Sequence, residues 1–168
     1  HKEGFEIFVA KKTIEIASCG FSFNSPTIFK ELVEWADVIH YHFPWPFADL
    51  LHFICDVNKK TIVTYHSDIV RQRILKIVYW PLMHKFLKSV DKIIATSPNY
   101  LETSSILKNY KEKVTVIPIG ISETTYPIPS ETDISSVKKI VGSDFILFIG
   151  TFRQYKGLKF LLEALSKT

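Results

Sequence analysis

Apolar residues fall into two rhythms along the chain. Short, nearly continuous runs predict strands at Phe5–Ala10, Thr13–Ala17, DVIHYH (37–42), KTIVTYH (60–66), DKIIATS (91–97), KVTVIPIG (113–120) and DFILFIG (144–150). Between them, apolar positions recur every three or four residues, the helical period. Helices are predicted from Ser25-Pro26 to about Trp35, over ADLLHFICDV (48–57), and from Asp68 to about Ser89 with a break near Trp80-Pro81. Three more are predicted from Ser97-Pro98 to about Lys108, over ISSVKKIVG (134–142) and over GLKFLLEALSK (157–167). Serine before proline suits the cap and first turn of a helix, and proline inside a helix removes an N–H and clashes with the preceding turn. FPWPF (43–47) reads as a proline-braced loop.

Strands that are apolar throughout, alternating with helices, predict an α/β fold with a Rossmann-like parallel sheet covered by helices on both faces. The Ser-, Thr- and Pro-rich stretch SETTYPIPSETD (122–133) is the one credible linker. The expected organisation is a first domain over residues 1–126, followed over 127–168 by a linker and the start of a second α/β domain. The chain opens on His1 and stops at Thr168 within a helical pattern, so a fragment is the expectation.

Composition narrows the class. With 168 residues and 46% apolar content, the chain can bury a core without staples. Cys19 and Cys55 lie in apolar contexts without CxxC spacing, which predicts buried free thiols and a reducing compartment. A net charge of +4 suits anionic partners such as phosphates or lipid head groups. No run of about 18 apolar residues predicts a spanning helix, and no signal peptide is visible.

Four stretches carry candidate chemistry. His40 and His42 share one face of a predicted strand, and His42 ends it, where open parallel sheets bind ligands. The pair reads as metal ligands, as one core and one exposed histidine, or as neutral imidazoles contacting a ligand. His66 ends the next strand, so His42 and His66 open into one crevice if those strands are neighbours. Ser67 and Asp68 read either as helix caps or as substrate contacts. The loop GTFRQYKG (150–157) sets Arg153 and Lys156 before a helix, an arrangement suited to a diphosphate or to a solvated turn. Finally, Arg71, Arg73, Lys76, Lys85 and Lys88 interleave with Tyr79, Trp80 and Phe86. That pattern fits an anionic membrane surface or an ordinary covering helix.

Taken in order, ADVIHYHFPWPFADLL, TYHSDIVRQ, ATSPNYLETSSIL, KVTVIPIGI and FILFIGTFRQYKGLKFLLEAL resemble segments of the retaining GT-B-fold glycosyltransferases of family 4 (glycosyltransferase group 1), in particular mannosyltransferase-like members. The resemblance implies two Rossmann-like domains facing a cleft, the first for acceptor and the second for a nucleotide-diphosphate sugar. It implies that His66 reaches the donor sugar and assists transfer. His40, His42, Ser67 and Asp68 would then line the acceptor side, and Gly150, Arg153 and Lys156 would hold the donor diphosphate. Thr151 stands where family members commonly carry arginine. Fixed cations would stabilise the anionic leaving group, so no cofactor and no metal is expected.

The expectation is therefore part of an enzyme that moves a hexose, mannose being one candidate, to a lipid-linked or polysaccharide acceptor. The place expected is the cytoplasm, at the membrane's cytoplasmic face, with no nucleic-acid partner. The Glu-x7-Glu motif of the family would fall beyond Thr168, so the isolated fragment is expected to be inactive. Two alternatives stay open: a metal-dependent hydrolase using His40, His42 and His66, and a non-catalytic module docking on membranes.

Overall fold

The computed structural model describes residues 4–16, 19–69, 73–122, 124, 126 and 128–167, without the side chains of 73–76 and 155. The chain forms two compact units, residues 1–120 and 121–168. The first is built on a four-stranded, wholly parallel sheet whose strands neighbour one another in chain order. Its strands are β3 (Val38–Phe43), β4 (Lys60–Tyr65), β5 (Lys92–Ala95) and β6 (Val114–Val116). Helices α1 (Ser25–Trp35), α2 (Pro46–Ile54), α3 (Arg73–Ser89) and α4 (Pro98–Thr103) alternate with them. A 3-10 segment, Leu107–Lys113, leads into β6. This is the α/β alternation predicted from apolar periodicity.

In β3, β4 and β5 the odd-numbered residues form the core. Ile39, Tyr41, Phe43, Val63, Tyr65, Ile93 and Ala95 are buried with Met83, Phe86, Leu87 and Val90. Tyr41 meets the ring of Phe86 edge-on, with centroids 5.1 Å apart. Burying an aromatic or aliphatic side chain of this kind contributes about 1.5–3 kcal/mol. The even-numbered face is less completely covered: Thr64 is buried, whereas His40 and His42 are exposed. The sheet, flanked by helices as expected, is thus packed unequally on its two faces.

Several local expectations need correction. Phe5–Ala10 forms no strand beyond one bridge residue at Phe5. Instead β1 (Ile14–Ile16) and β2 (Cys19–Phe21) pair antiparallel with each other, outside the parallel sheet. α1 starts after Asn24, whose side chain makes no capping bond, with Ser25 and Pro26 inside its first turn. α2 begins at Pro46, inside the predicted loop, because proline is tolerated where the N–H has no partner anyway. α3 runs through Pro81 without a break. Pro81 is exposed, while Met83, Phe86 and Leu87 hold the opposite side in the core. α4 ends at Thr103, short of Lys108.

In the second unit, Ser130 and Asp133 form a reciprocal capping box that starts α5 (Glu131–Val141) earlier than predicted. The predicted strand DFILFIG has no ladder partner among the described residues. Phe145, Ile146, Leu147 and Ile149 are exposed; extended chain becomes a strand only when another strand takes up its N–H and C=O groups. α6 (Leu158–Leu165) closes the described chain. Both cysteines are free thiols, Cys55 buried and Cys19 half-buried.

Candidate active site

The parallel register sets His42 beside Thr64 and Phe43 beside Tyr65. The ladder extends one residue further, because the His66 N–H donates to the carbonyl of Phe43 at 3.0 Å. His66 therefore stands next to His42 on the sheet's open face, at the carboxyl ends of β3 and β4. The two strands are neighbours and bring His42 and His66 together.

Three imidazoles form a row on that face. His42 Nδ1 and His66 Nε2 are 2.8 Å apart. Their rings lie edge to edge and nearly coplanar, with centroids 5.1 Å apart and only 9° between planes. His40 stacks on His42 at 4.9 Å, and its Nε2 hydrogen-bonds Thr64 Oγ1 at 2.8 Å. Burial first, then the proximity of His42 and His66, lowers the His40 pKa below the ordinary histidine value. One proton lies between His42 and His66: two neutral rings or one imidazolium satisfy that bond, and two imidazolium rings do not.

This geometry does not favour the metal-hydrolase alternative. Nitrogens sharing one tetrahedral zinc at about 2.0–2.1 Å sit about 3.3 Å apart with their lone pairs converging on the ion. His42 and His66 are closer than that and aim at each other. Among the described residues no group of three His, Cys, Asp or Glu side chains is disposed to hold a metal ion.

Ser67 is exposed and Asp68 half-buried. The N–H groups that Asp68 would cap belong to 70 and 71, outside the described residues. The Asp68 carboxylate instead accepts hydrogen bonds from Tyr65 Oη and Ser104 Oγ, both at 2.8 Å. Its backbone N–H donates to the hydroxyl of Tyr100. None of these three partners is evident in the sequence, because two of them are more than thirty residues away. Thr64, the partner of His40, could have been found: it lies on the same face as His66 and one strand over from His42.

A cavity of about 510 Å³ lies beside β3. His40, His42 and Trp45 line it together with apolar residues of α1 and α2 such as Phe29, Leu32 and Leu51. In the second unit, Arg153 is extended, Gln154–Lys156 make one 3-10 turn, and Gly157 adopts φ 71° before α6. That left-handed backbone favours glycine. Gly150, Arg153 and Lys156 are all exposed.

Of the basic series, Arg71 lies outside the described residues, as do the side chains of Arg73 and Lys76. Lys85 and Lys88 are exposed on α3, and Lys85 Nζ sits 4.4 Å from the centroid of Phe53. Ile77 and Val78 on the same helix are 73% and 75% exposed. No helix among the described residues is long and apolar enough to cross a membrane.

The sequence matches Glycosyltransferase Family 4 over residues 6–124. A D-rhamnosyltransferase of Pseudomonas aeruginosa, WbpZ, is 48% identical over 165 residues, which is 98% of this chain and 43% of that protein. O-antigen chain mannosyltransferase C of Escherichia coli is 43% identical over 166 residues, 99% of this chain and 44% of that protein. The chain thus spans less than half the length of the curated relatives it matches. The family match takes in β1 to β6 and every histidine of the imidazole row, and on that ground the chain belongs to Glycosyltransferase Family 4.

Proposed function

We propose that the protein carrying this chain transfers a hexose from a nucleotide-diphosphate sugar to a lipid-linked or polysaccharide acceptor, with retention of configuration. The observation that carries this reading is the imidazole row at the carboxyl ends of β3 and β4, inside the family match. The two relatives act, by name, as a D-rhamnosyltransferase and a mannosyltransferase. D-rhamnose is 6-deoxymannose, so a D-manno-configured sugar is the donor class we assign.

His66 hydrogen-bonds the donor sugar, and its pairing with His42 fixes the direction in which it does so. His40, His42 and Ser67 face the acceptor, and the adjoining cavity takes the acceptor's less polar part. Arg153, Lys156 and the backbone at Gly150 neutralise the departing diphosphate, electrostatic work that requires no cofactor or metal ion. The two units, 1–120 and 121–168, divide these acceptor and donor tasks. The enzyme works in the cytoplasm, where nucleotide sugars are used, and α3 rests on the membrane's cytoplasmic face. Exposed Ile77 and Val78 beside Lys85 and Lys88 support that contact.

The test is a panel of nucleotide sugars offered to the full-length protein with a short oligosaccharide acceptor, with the product's anomeric configuration read by NMR. Transfer from the D-manno donors, with the donor's anomer kept, is expected. Transfer from none of them, or an inverted anomer, contradicts the proposal. For the membrane contact, co-sedimentation with anionic but not neutral vesicles is expected, and equal partitioning rejects it.

A further inference from the structure

We propose that Tyr65, Ser104 and Tyr100 are positioning residues, which hold His66 in place by clamping Asp68; the proposal rests on the role for His66 given above. His66 is secured on one side only by the sheet, through its N–H to Phe43. Beyond it the chain leaves β4, and something else must fix the carbonyl side of the residue. Three hydroxyl groups converge there. Tyr65, fully buried on the opposite face from His66, turns its hydroxyl to the Asp68 carboxylate three residues later. Ser104, 2% exposed after α4, donates to the same oxygen. Tyr100, from α4, accepts the backbone N–H of Asp68.

Each of the three is itself held. The ring of Tyr65 stacks on Phe43 with centroids 4.5 Å apart. Ser104 Oγ also accepts the N–H groups of Ile106 and Leu107, at 3.3 and 3.1 Å, which ties the clamp to the start of the 3-10 segment. The N–H of Tyr100 is bound by Ser97 Oγ, the cap of α4. The carboxylate is therefore a receptor for internal hydroxyls. Charge-assisted bonds of this kind are short, directional and stronger than neutral ones. The residues His66–Asp68 are fastened to α4 rather than left as a free strand end, and the imidazole pair inherits that rigidity.

The test uses the full-length protein labelled with 15N-histidine. It compares wild type with Tyr65→Phe, Asp68→Asn and Asp68→Ala. In Tyr65→Phe the buried ring stays and one bond to the carboxylate goes. The ring-nitrogen signals of His42 and His66 should then shift toward those of separate, solvated imidazoles. The kcat should fall about tenfold with the donor KM held, because misplacing a reacting group by about 1 Å can cost about a hundredfold. Asp68→Asn, which still offers an oxygen to both hydroxyls, should recover most of the turnover that Asp68→Ala loses.

Wild-type kcat and wild-type histidine signals in Tyr65→Phe would overturn the clamp. So would an Asp68→Asn variant as impaired as Asp68→Ala with a raised KM, since Asp68 would then be binding substrate by its charge. If His66→Ala transfers sugar at full rate, the role given to His66 fails. The histidine signals in Tyr65→Phe then still decide whether the clamp exists.

Discussion

The two faces of β3 come from one hexapeptide and have opposite fates. Ile39, Tyr41 and Phe43 point into the core, while His40, His42 and the neighbouring His66 stay exposed. His52 sharpens the contrast. It is 6% exposed, with Nδ1 bonded to Tyr41 Oη at 3.0 Å and Nε2 to Ser89 Oγ at 3.1 Å. Burial lowers its pKa, and neutral hydroxyls satisfy both of its nitrogens. His52 is a packed polar residue, whereas His42 and His66 have mainly each other and an open face to meet a ligand. A histidine's sequence context is nearly the same in the two cases; the partner of each nitrogen separates them.

Substitutions on the two faces should separate stability from turnover. Phe86→Ala, on the core side, should cost about 3–5 kcal/mol in urea unfolding, the usual loss for a truncated buried phenylalanine. His66→Ala should leave stability within about 1 kcal/mol, as exposed substitutions do. Its kcat should fall about 10²–10³-fold, the loss typical of one positioned hydrogen-bond donor. Lys156→Ala should weaken donor binding about 10–100-fold by calorimetry, as expected when a bond to a charged group is removed, and leave unfolding unchanged. A chelator should leave transfer rates as they are; loss of activity on chelation, restored by metal, would revive the hydrolase-like reading of the histidines.

A pH-dependent effect concerns a buried carboxyl on the core side. Asp49 of α2 is 2% exposed, and burial pushes its pKa up to about 7, against the opposing hydrogen bond from Tyr79. The fold therefore favours the protonated acid. Asp49 holds its proton in the folded state up to about pH 7 and loses it near pH 3.9 when unfolded. Its contribution is most favourable below about pH 4, declines as pH rises to about 7, and is constant above that. Urea midpoints of wild type and Asp49→Asn should diverge steadily across that window, the variant gaining relative stability as pH rises. Parallel curves would show that Asp49 is ionised throughout.

Periodicity made β3 to β6 legible because each is an apolar run flanked by polar punctuation, and parallel neighbours bury such runs. The convergence of His42 and His66 was legible for the same reason: both end strands adjacent in order. DFILFIG has the same composition and forms no ladder among the described residues, and composition carries no information about a partner strand. The start of α5 could have been read from Ser130 and Asp133, whose spacing is that of a capping box. The clamp on Asp68 could not. Tyr100 and Ser104 reach it only after β5 and α4 have folded back beside β4, a tertiary fact with no local signature.

One measurement bears most directly on the imidazole row as the centre of the chemistry. Full-length wild type and His66→Ala would be compared in single-turnover transfer from a D-manno nucleotide sugar, with circular dichroism and urea unfolding confirming that both are folded. The expected result is a folded variant whose transfer rate is lower by about a hundredfold or more. A folded variant that transfers at the wild-type rate would contradict it.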